Sequence, residues 1–381
     1  MTEGMEKLSQ HVRGRVSDFA KMKKEGRKIV GYAPGGFMPE DMVWAAGAVP
    51  VPLLRGGSHE AVAESGAYIP RFVDTFCRSQ IGFVKLGDEP LYQLPDFVVV
   101  PITDNNMRAV AEMFDYFTDV KAFRYGVPHC KDELAYGYYL ESLHQLKDKL
   151  EKETGNKLDE KKLRELIALS NKMWELLEKI GELRKSPNPP ITGDEFVKLN
   201  HASFYADKKV LVDCLEQIYR ELKDKQGPKP TARILLTGST LANGDYKVHD
   251  LTERTGAAIV IEEFAEGMRH YWERVNLNGG DILEALADRY FRRRVTPAWF
   301  RPSVERIDFC KKLAKEYKAD GVIYYQLMYR ESYDIQHCYF DKIMERDTGL
   351  KTLKVESDYD SAEVGPLKTR IEAFMETIKG R

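Results

Sequence analysis

The chain has 381 residues, 43% of them apolar and 31% charged, and its 58 Lys and Arg against 60 Asp and Glu leave a formal charge of −2. This length predicts two domains, each able to bury a core. The balanced charge excludes nucleic acid or an anionic membrane as the main partner, since both select clustered positive charge. No apolar run reaches the roughly 18 residues of a membrane span, and residues 1–15 lack the apolar core of a signal peptide, so a cytoplasmic location is expected. The five cysteines (Cys77, Cys130, Cys214, Cys310 and Cys338) are scattered, with no CxxC-type metal or redox motif.

An amphipathic helix pattern (Val12, Val16, Phe19, Ala20, Met22) ends near Gly26. Short apolar runs at Lys28–Ala33, Ala48–Leu53, Asp96–Pro101 and Lys121–Val127 then read as strands, with a short capped helix over Pro39–Gly47 between the first two. Strands alternating with helices predict a parallel sheet. From Lys131 to Lys185, leucines at helical spacing among many charges predict two long helices, broken at Thr154-Gly155-Asn156, with the charges on a solvated face. Helical pattern resumes over Gly193–Lys225, and Gln226-Gly227-Pro228-Lys229-Pro230 marks a boundary. Arg233–Gly238, Ala257–Glu262, Gly321–Leu327 and Thr352–Glu356 form a second set of parallel strands. Helices are expected at Tyr246–Arg254, Ile282–Arg292, Ser303–Tyr317 and Glu363–Ile378. The fold class is α/β: two doubly wound parallel-sheet domains, residues 1–130 and 227–381, with a helical insertion over 131–226.

Ligands of open parallel sheets collect outside the carboxyl ends of the strands. That rule selects the loops at Pro34–Met38, Ile102–Asn105, Ser239–Asn243, Met328–Glu331 and Ser357–Asp360, whose Gly, Ser, Thr, Asn and acidic residues also suit ordinary turns. There is no GxxxxGK[ST], and Gly31-Tyr-Ala-Pro-Gly-Gly lacks dinucleotide spacing. Six of the eight histidines (His129, His144, His201, His249, His270, His337) are scattered without metal-ligand spacing, so no metal is expected. Tyr324, Tyr325, Tyr329, Tyr333, Tyr339 and Phe340 crowd one stretch, which suits either strand packing or an apolar pocket.

Taken together, several segments resemble the 2-hydroxyacyl-CoA dehydratase and benzoyl-CoA reductase subunit family. They are Gly31–Val51, Arg78–Gly82, Asp96–Asp104, Arg233–Gly238 with Gly256–Val260, Ala319–Ile323, and Val355–Phe374, in family order over nearly the whole chain. The resemblance implies two Rossmann-like halves facing a cleft, a related partner subunit, and electron supply from an ATP-hydrolysing iron–sulfur activator. It also implies a [4Fe–4S] cluster held by three cysteines, one from each of three strand-end loops. The matching positions here carry Asp74, Thr103 and Arg330. A carboxylate, a hydroxyl and a guanidinium replace soft thiolates poorly, and Asp74 and Arg330 are expected to fill the vacated space as an ion pair.

The expectation is therefore a cluster-free subunit that completes an acyl-CoA site beside a cluster-bearing partner. The [4Fe–4S] clusters would reside in that partner and the activator, and ATP at the activator alone. Glu40 and Asp104 are candidate catalytic residues, and Gly35, Gly36, Phe37, Ser239, Asn243 and Tyr329 candidate substrate contacts. The tyrosine-rich stretch favours a benzoyl over a hydroxyacyl substrate. The alternatives are a non-catalytic scaffold or acyl-CoA-binding protein, and an isolated enzyme with acid–base chemistry at Asp74, Asp104 and Arg330.

Overall fold

In the computed structural model, which describes residues 1–33 and 36–379, the apolar runs form two four-stranded sheets, both wholly parallel. The first half of the chain runs α1 (Glu3–Lys24), β1 (Ile29–Tyr32), α2 (Glu40–Ala45), β2 (Val49–Pro52), α3 (His59–Glu64), α4 (Thr75–Leu86), β3 (Phe97–Ile102), α5 (Asn105–Phe117) and β4 (Lys121–Gly126). Four helices follow: α6 (Glu133–Thr154), α7 (Glu160–Glu182), α8 (Gly193–Ala202) and α9 (Lys208–Leu222). The second half runs β5 (Arg233–Gly238), α10 (Lys247–Glu253), β6 (Ala258–Glu263), α11 (Met268–Tyr271), α12 (Ile282–Ala287), α13 (Val304–Glu316), β7 (Gly321–Leu327), α14 (Glu331–Thr348), β8 (Thr352–Ser357) and α15 (Val364–Lys379).

The sheets have the orders β2-β1-β3-β4 and β6-β5-β7-β8, so both halves share one topology. In each, the chain leaves an inner strand to one side and returns on the other, which opens a crevice between β1 and β3 and another between β5 and β7. The inner strands β1, β3, β5 and β7 are buried on both faces, as their largely apolar runs require, while the edge strands β4 and β8 are partly exposed. Val30, Val99, Leu235 and Tyr324 join one core, while Ile29, Val98, Leu236 and Ile323 join the other. The helices α6, α7 and α9 send Leu146, Ile167 and Leu215 into the first of these cores, forming a layer against both sheets.

Several elements depart from the sequence expectation for visible reasons. The helical stretch over 193–225 is two helices, because Asp207 caps a new start by accepting from Lys209 N and Val210 N. The helix expected to reach Arg292 is α-helical only to Ala287 and continues as a π-helical turn, Asp288–Arg292. The helices α3, α4, α5 and α11 have no counterpart among the expected elements. In α4, Ser79, Gln80 and Gly82 lie on the buried side with Phe76, Ile81 and Phe83, which erases the apolar stripe.

Gly82 holds α4 against α3: a Cβ there would lie 1.8 Å from the Ala61 carbonyl oxygen. Gly82→Ala is expected to cost about 2–3 kcal/mol, read as a lower urea midpoint. Gly14→Ala, on the α1 surface where a Cβ meets nothing within 4 Å, is expected to stabilise by about 0.5–1 kcal/mol.

Candidate functional site

The carboxyl ends of the two sheets face each other across a cleft. Phe37 follows β1, Thr103 follows β3, Ser239 and Thr240 follow β5, and Arg330 follows β7; all line one cavity of about 40 Å³. Glu266, Arg269, Trp299 and Tyr333 complete its wall.

Three helices begin at this cleft, and their N-cap positions are Asp74 (α4), Asp104 (α5) and Arg330 (α14). Asp74 Oδ1 accepts from Cys77 N at 3.0 Å, and Asp104 Oδ1 from Met107 N at 3.0 Å, so each acid caps its own helix. Arg330 reaches across from the second half. Its Nη2 donates to Asp104 Oδ2 at 2.7 Å, and its Nη1 lies 3.6 Å from both Asp74 Oδ1 and Cys77 Sγ. The expected contact of Arg330 with Asp74 forms, but the tighter contact is with Asp104, which sequence reasoning did not pair. Asn106 strengthens the junction: its Oδ1 accepts from Asp74 N at 2.7 Å and its Nδ2 donates to Tyr329 O at 3.2 Å.

Burial sets the electrostatics. Asp74 is 0% exposed and its Oδ2 has no hydrogen-bond partner. Burial raises its carboxyl above the usual range, while the Arg330 charge opposes that rise. Burial pushes the Cys77 thiol well up, and the Asp74 charge pushes it further, so it stays a neutral thiol rather than a thiolate ligand. Burial works against the Arg330 charge as well, but Asp104 and Asp74 outweigh it and the guanidinium is held cationic.

The remaining candidates divide among three places. Phe37 stacks on Phe300, with ring centroids 6.2 Å apart, and Ser239 Oγ accepts from Leu327 N at 3.0 Å, both at the cleft. Thr103 Oγ1 donates to Asp104 Oδ2 at 3.2 Å. Tyr329, with φ of 65°, sits edge-on to the half-exposed Phe72 at the rim. Gly36 and Glu40 line a neighbouring cavity of about 30 Å³. There Glu40 accepts from Tyr32 OH at 2.7 Å and pairs with Lys208 at 2.9 Å. Asn243 is elsewhere, bonded to Tyr205 and Tyr246 in a groove beside α1 and α8. Gly35 lies outside the described residues.

Tyr324 and Tyr325 are buried in β7, and Tyr339 bonds Ser303 Oγ, so only Tyr333 of the remaining crowded aromatics lines the cleft cavity. The aromatic ground for a benzoyl group therefore lapses. Among the described residues no three His, Cys, Asp or Glu side chains are placed to hold a metal ion, and no helix is long and apolar enough to cross a membrane. With Asp74, Thr103 and Arg330 at the three positions that the resemblance gives to thiolates, the donor set does not fit an iron–sulfur cluster.

Residues 36–378 match the family model described as 2-hydroxyglutaryl-CoA dehydratase, D-component. The chain is similar to a putative dehydratase subunit, YjiM, of Escherichia coli, at 27% identity over 94% of this chain and 93% of that one. It is also similar to the (R)-phenyllactyl-CoA dehydratase beta subunit of Clostridium sporogenes, at 23% over 94% and 93%. One of the subunits of the benzoyl-CoA reductase of Thauera aromatica aligns at 22% over 71% and 70%.

Replacing Arg330 by Met leaves the buried Asp74 and the partly buried Asp104 without their cation, and near neutral pH this is expected to cost about 3 kcal/mol. The sign of the pH effect follows from Asp74. A carboxyl raised on folding contributes stability that is fully present below its unfolded value and lost as pH rises through the folded one. Without Arg330 the Asp74 value rises further, so the variant loses stability over a longer climb in pH. The gap between wild type and Arg330→Met, measured by urea unfolding, should be smaller at about pH 4.5 than at about pH 7.5.

Proposed function

The chain belongs to the 2-hydroxyglutaryl-CoA dehydratase D-component family, and on that premise we propose that it is a cluster-free subunit of an acyl-CoA dehydratase or reductase complex. The observation that carries this reading is the Arg330 guanidinium bound between Asp74 and Asp104 at the centre of the cleft. One buried and one partly buried carboxylate, with a buried cation, fill the space for which relatives would need thiolates and iron. Cys77 is one neutral thiol and cannot hold a cubane alone. No electron step is assigned to this chain.

The cleft cavity, at about 40 Å³, has room for a few waters and not for a thioester with its pantetheine arm. The chain therefore supplies one wall of an acyl-CoA site, and a related cluster-bearing partner supplies the rest. An ATP-hydrolysing iron–sulfur activator would deliver electrons to that partner. Phe37, Ser239 and Tyr329 belong to this wall. Asp104 is tied to Arg330, and Glu40 to Lys208 and Tyr32, so both position charge in this reading and neither is a free proton carrier.

The test is reconstitution. The chain is mixed anaerobically with a cysteine-bearing family member, an activator, ATP and a reductant, with (R)-2-hydroxyacyl-CoA and benzoyl-CoA offered separately. The isolated chain should turn over neither, and the complete mixture should turn over one. Turnover by the chain alone, or undiminished turnover when it is omitted, would contradict the reading.

A further inference from the structure

The cavity beside the cleft mixes apolar groups, Ala33, Met38 and Phe204, with several hydrogen-bond donors. It lies between the segment Gly36–Met38, Glu40 at the start of α2, and the π-helical turn Asp288–Arg292. Its volume, about 30 Å³, matches the two oxygens of one small polar head group. Arg289, only 3% exposed, projects from the π-turn to its edge. Arg289 Nη2 donates to His270 O at 2.8 Å, but its Nε has no partner, and it pairs with no carboxylate among the described residues. Its guanidinium lies 3.6 Å from the Trp174 ring centroid and 4.4 Å from that of Tyr290.

Trp174 and Tyr290 line the same cavity. The Trp174 indole Nε1 is buried without a partner, and no protein acceptor for the Tyr290 hydroxyl is found among the described residues. Two buried donors on one small wall, Arg289 Nε and Trp174 Nε1, thus lack acceptors, although buried polar groups are nearly always satisfied. The one carboxylate present cannot serve them, because Glu40 is held by Tyr32 OH and Lys208, and Lys208 is shared with Asp41. The surroundings are cationic as well. Arg294 approaches so closely that a Cβ on Gly36 would lie 2.3 Å from its Nη2. Burial, then Arg269 and Arg289, lower the Arg294 guanidinium to about 9. An anion in the cavity would relieve that repulsion and satisfy the donors together.

We propose that this cavity is a carboxylate-binding site in which Arg289, Trp174 and Tyr290 close on the two oxygens of a carboxylate group. The carboxylate comes either from the far end of an acyl-CoA acyl chain or from a free small acid. The first source rests on the acyl-CoA reading above; the second does not. A π-helical turn is a costly way to end α12, and such turns recur where a side chain must be aimed at a ligand. Here it carries both Arg289 and Tyr290.

Two measurements test the site. In the first, thermal unfolding of the full chain is followed in sodium acetate, succinate, phosphate or chloride at equal ionic strength. In the second, calorimetry compares succinyl-CoA with butyryl-CoA, which differ by the terminal carboxylate. Succinate or acetate should raise the unfolding temperature above the chloride and phosphate values. Trp174→Phe and Tyr290→Phe, which keep the rings, should each weaken carboxylate binding about tenfold, and Arg289→Met should abolish it. If Arg289→Met does not fold, the two ring variants decide. Tighter binding of succinyl-CoA, by about tenfold or more, assigns the carboxylate to the acyl chain. Equal thioester binding with a succinate effect assigns it to a free acid. Equal thioester binding with no carboxylate effect overturns the site and leaves the acyl-CoA reading standing. A carboxylate effect with no binding of either thioester does the reverse. Carboxylate binding unchanged in all folded variants also overturns the site.

Discussion

Arg330 carries a buried positive charge from the end of β7 into the opposite half of the molecule, where Asp74 and Asp104 receive it. Neither acid is there by accident of packing. Each caps the helix that it begins: Asp104 gives Oδ1 to the backbone and Oδ2 to Arg330, while Asp74 uses the same Oδ1 for the cap and for the guanidinium. The guanidinium then joins two helix starts of one half to the third helix start of the other. Asn106 repeats the link through the Tyr329 carbonyl, and Arg55 and Asn243 form a short parallel bridge further along. A buried ion pair of this kind adds little net stability over a well-packed apolar contact, but removing one partner is expensive. Its effect is to fix where the two sheet ends meet.

The repeated topology explains why the strands' carboxyl ends become a site. Both sheets reverse their winding at an inner pair of strands, and those crevices are turned towards each other. The loops after β1, β3, β5 and β7 therefore share one small volume. Around it lies an unusual density of buried charge. Glu263, at the end of β6, is bracketed by Arg306 at 2.9 Å and Arg269 at 2.9 Å. Lys208 ties Glu40 and Asp41 of α2 to Ser170 of α7. These pairs hold the loops that line the cleft, so the cleft is shaped by electrostatics as much as by packing.

Much of this was legible in the sequence, and what was missed has a physical reason. All eight strands were readable: six are nearly continuous apolar runs, while the edge strands β4 and β8 keep apolar residues among Lys121, Arg124 and Lys354. β5 and β7 match their expected bounds, Arg233–Gly238 and Gly321–Leu327. α4 was not readable, since Gln80 turns inward to donate to the Arg55 carbonyl and accept from Tyr92 OH. Periodicity fails when an inner face carries polar groups with private partners. At the site, the contact between Asp74 and Arg330 followed from opposite charges at matched positions. The stronger claim of Asp104 did not, although Asp104-Asn-Asn-Met is an N-cap signal. The donors at Arg289, Trp174 and Tyr290 were invisible, because Trp174 lies far along the chain from the adjacent Arg289 and Tyr290 and meets them only through the turn after α12.

If Arg330, Asp74 and Asp104 stand in the place of a cluster in this chain, the protein should hold almost no iron. Iron and acid-labile sulfide, measured on protein produced and purified without oxygen in the presence of excess iron, address this directly. Well below one iron per chain is the expected result. About four irons and four sulfides per chain, in a stoichiometric complex, would contradict it.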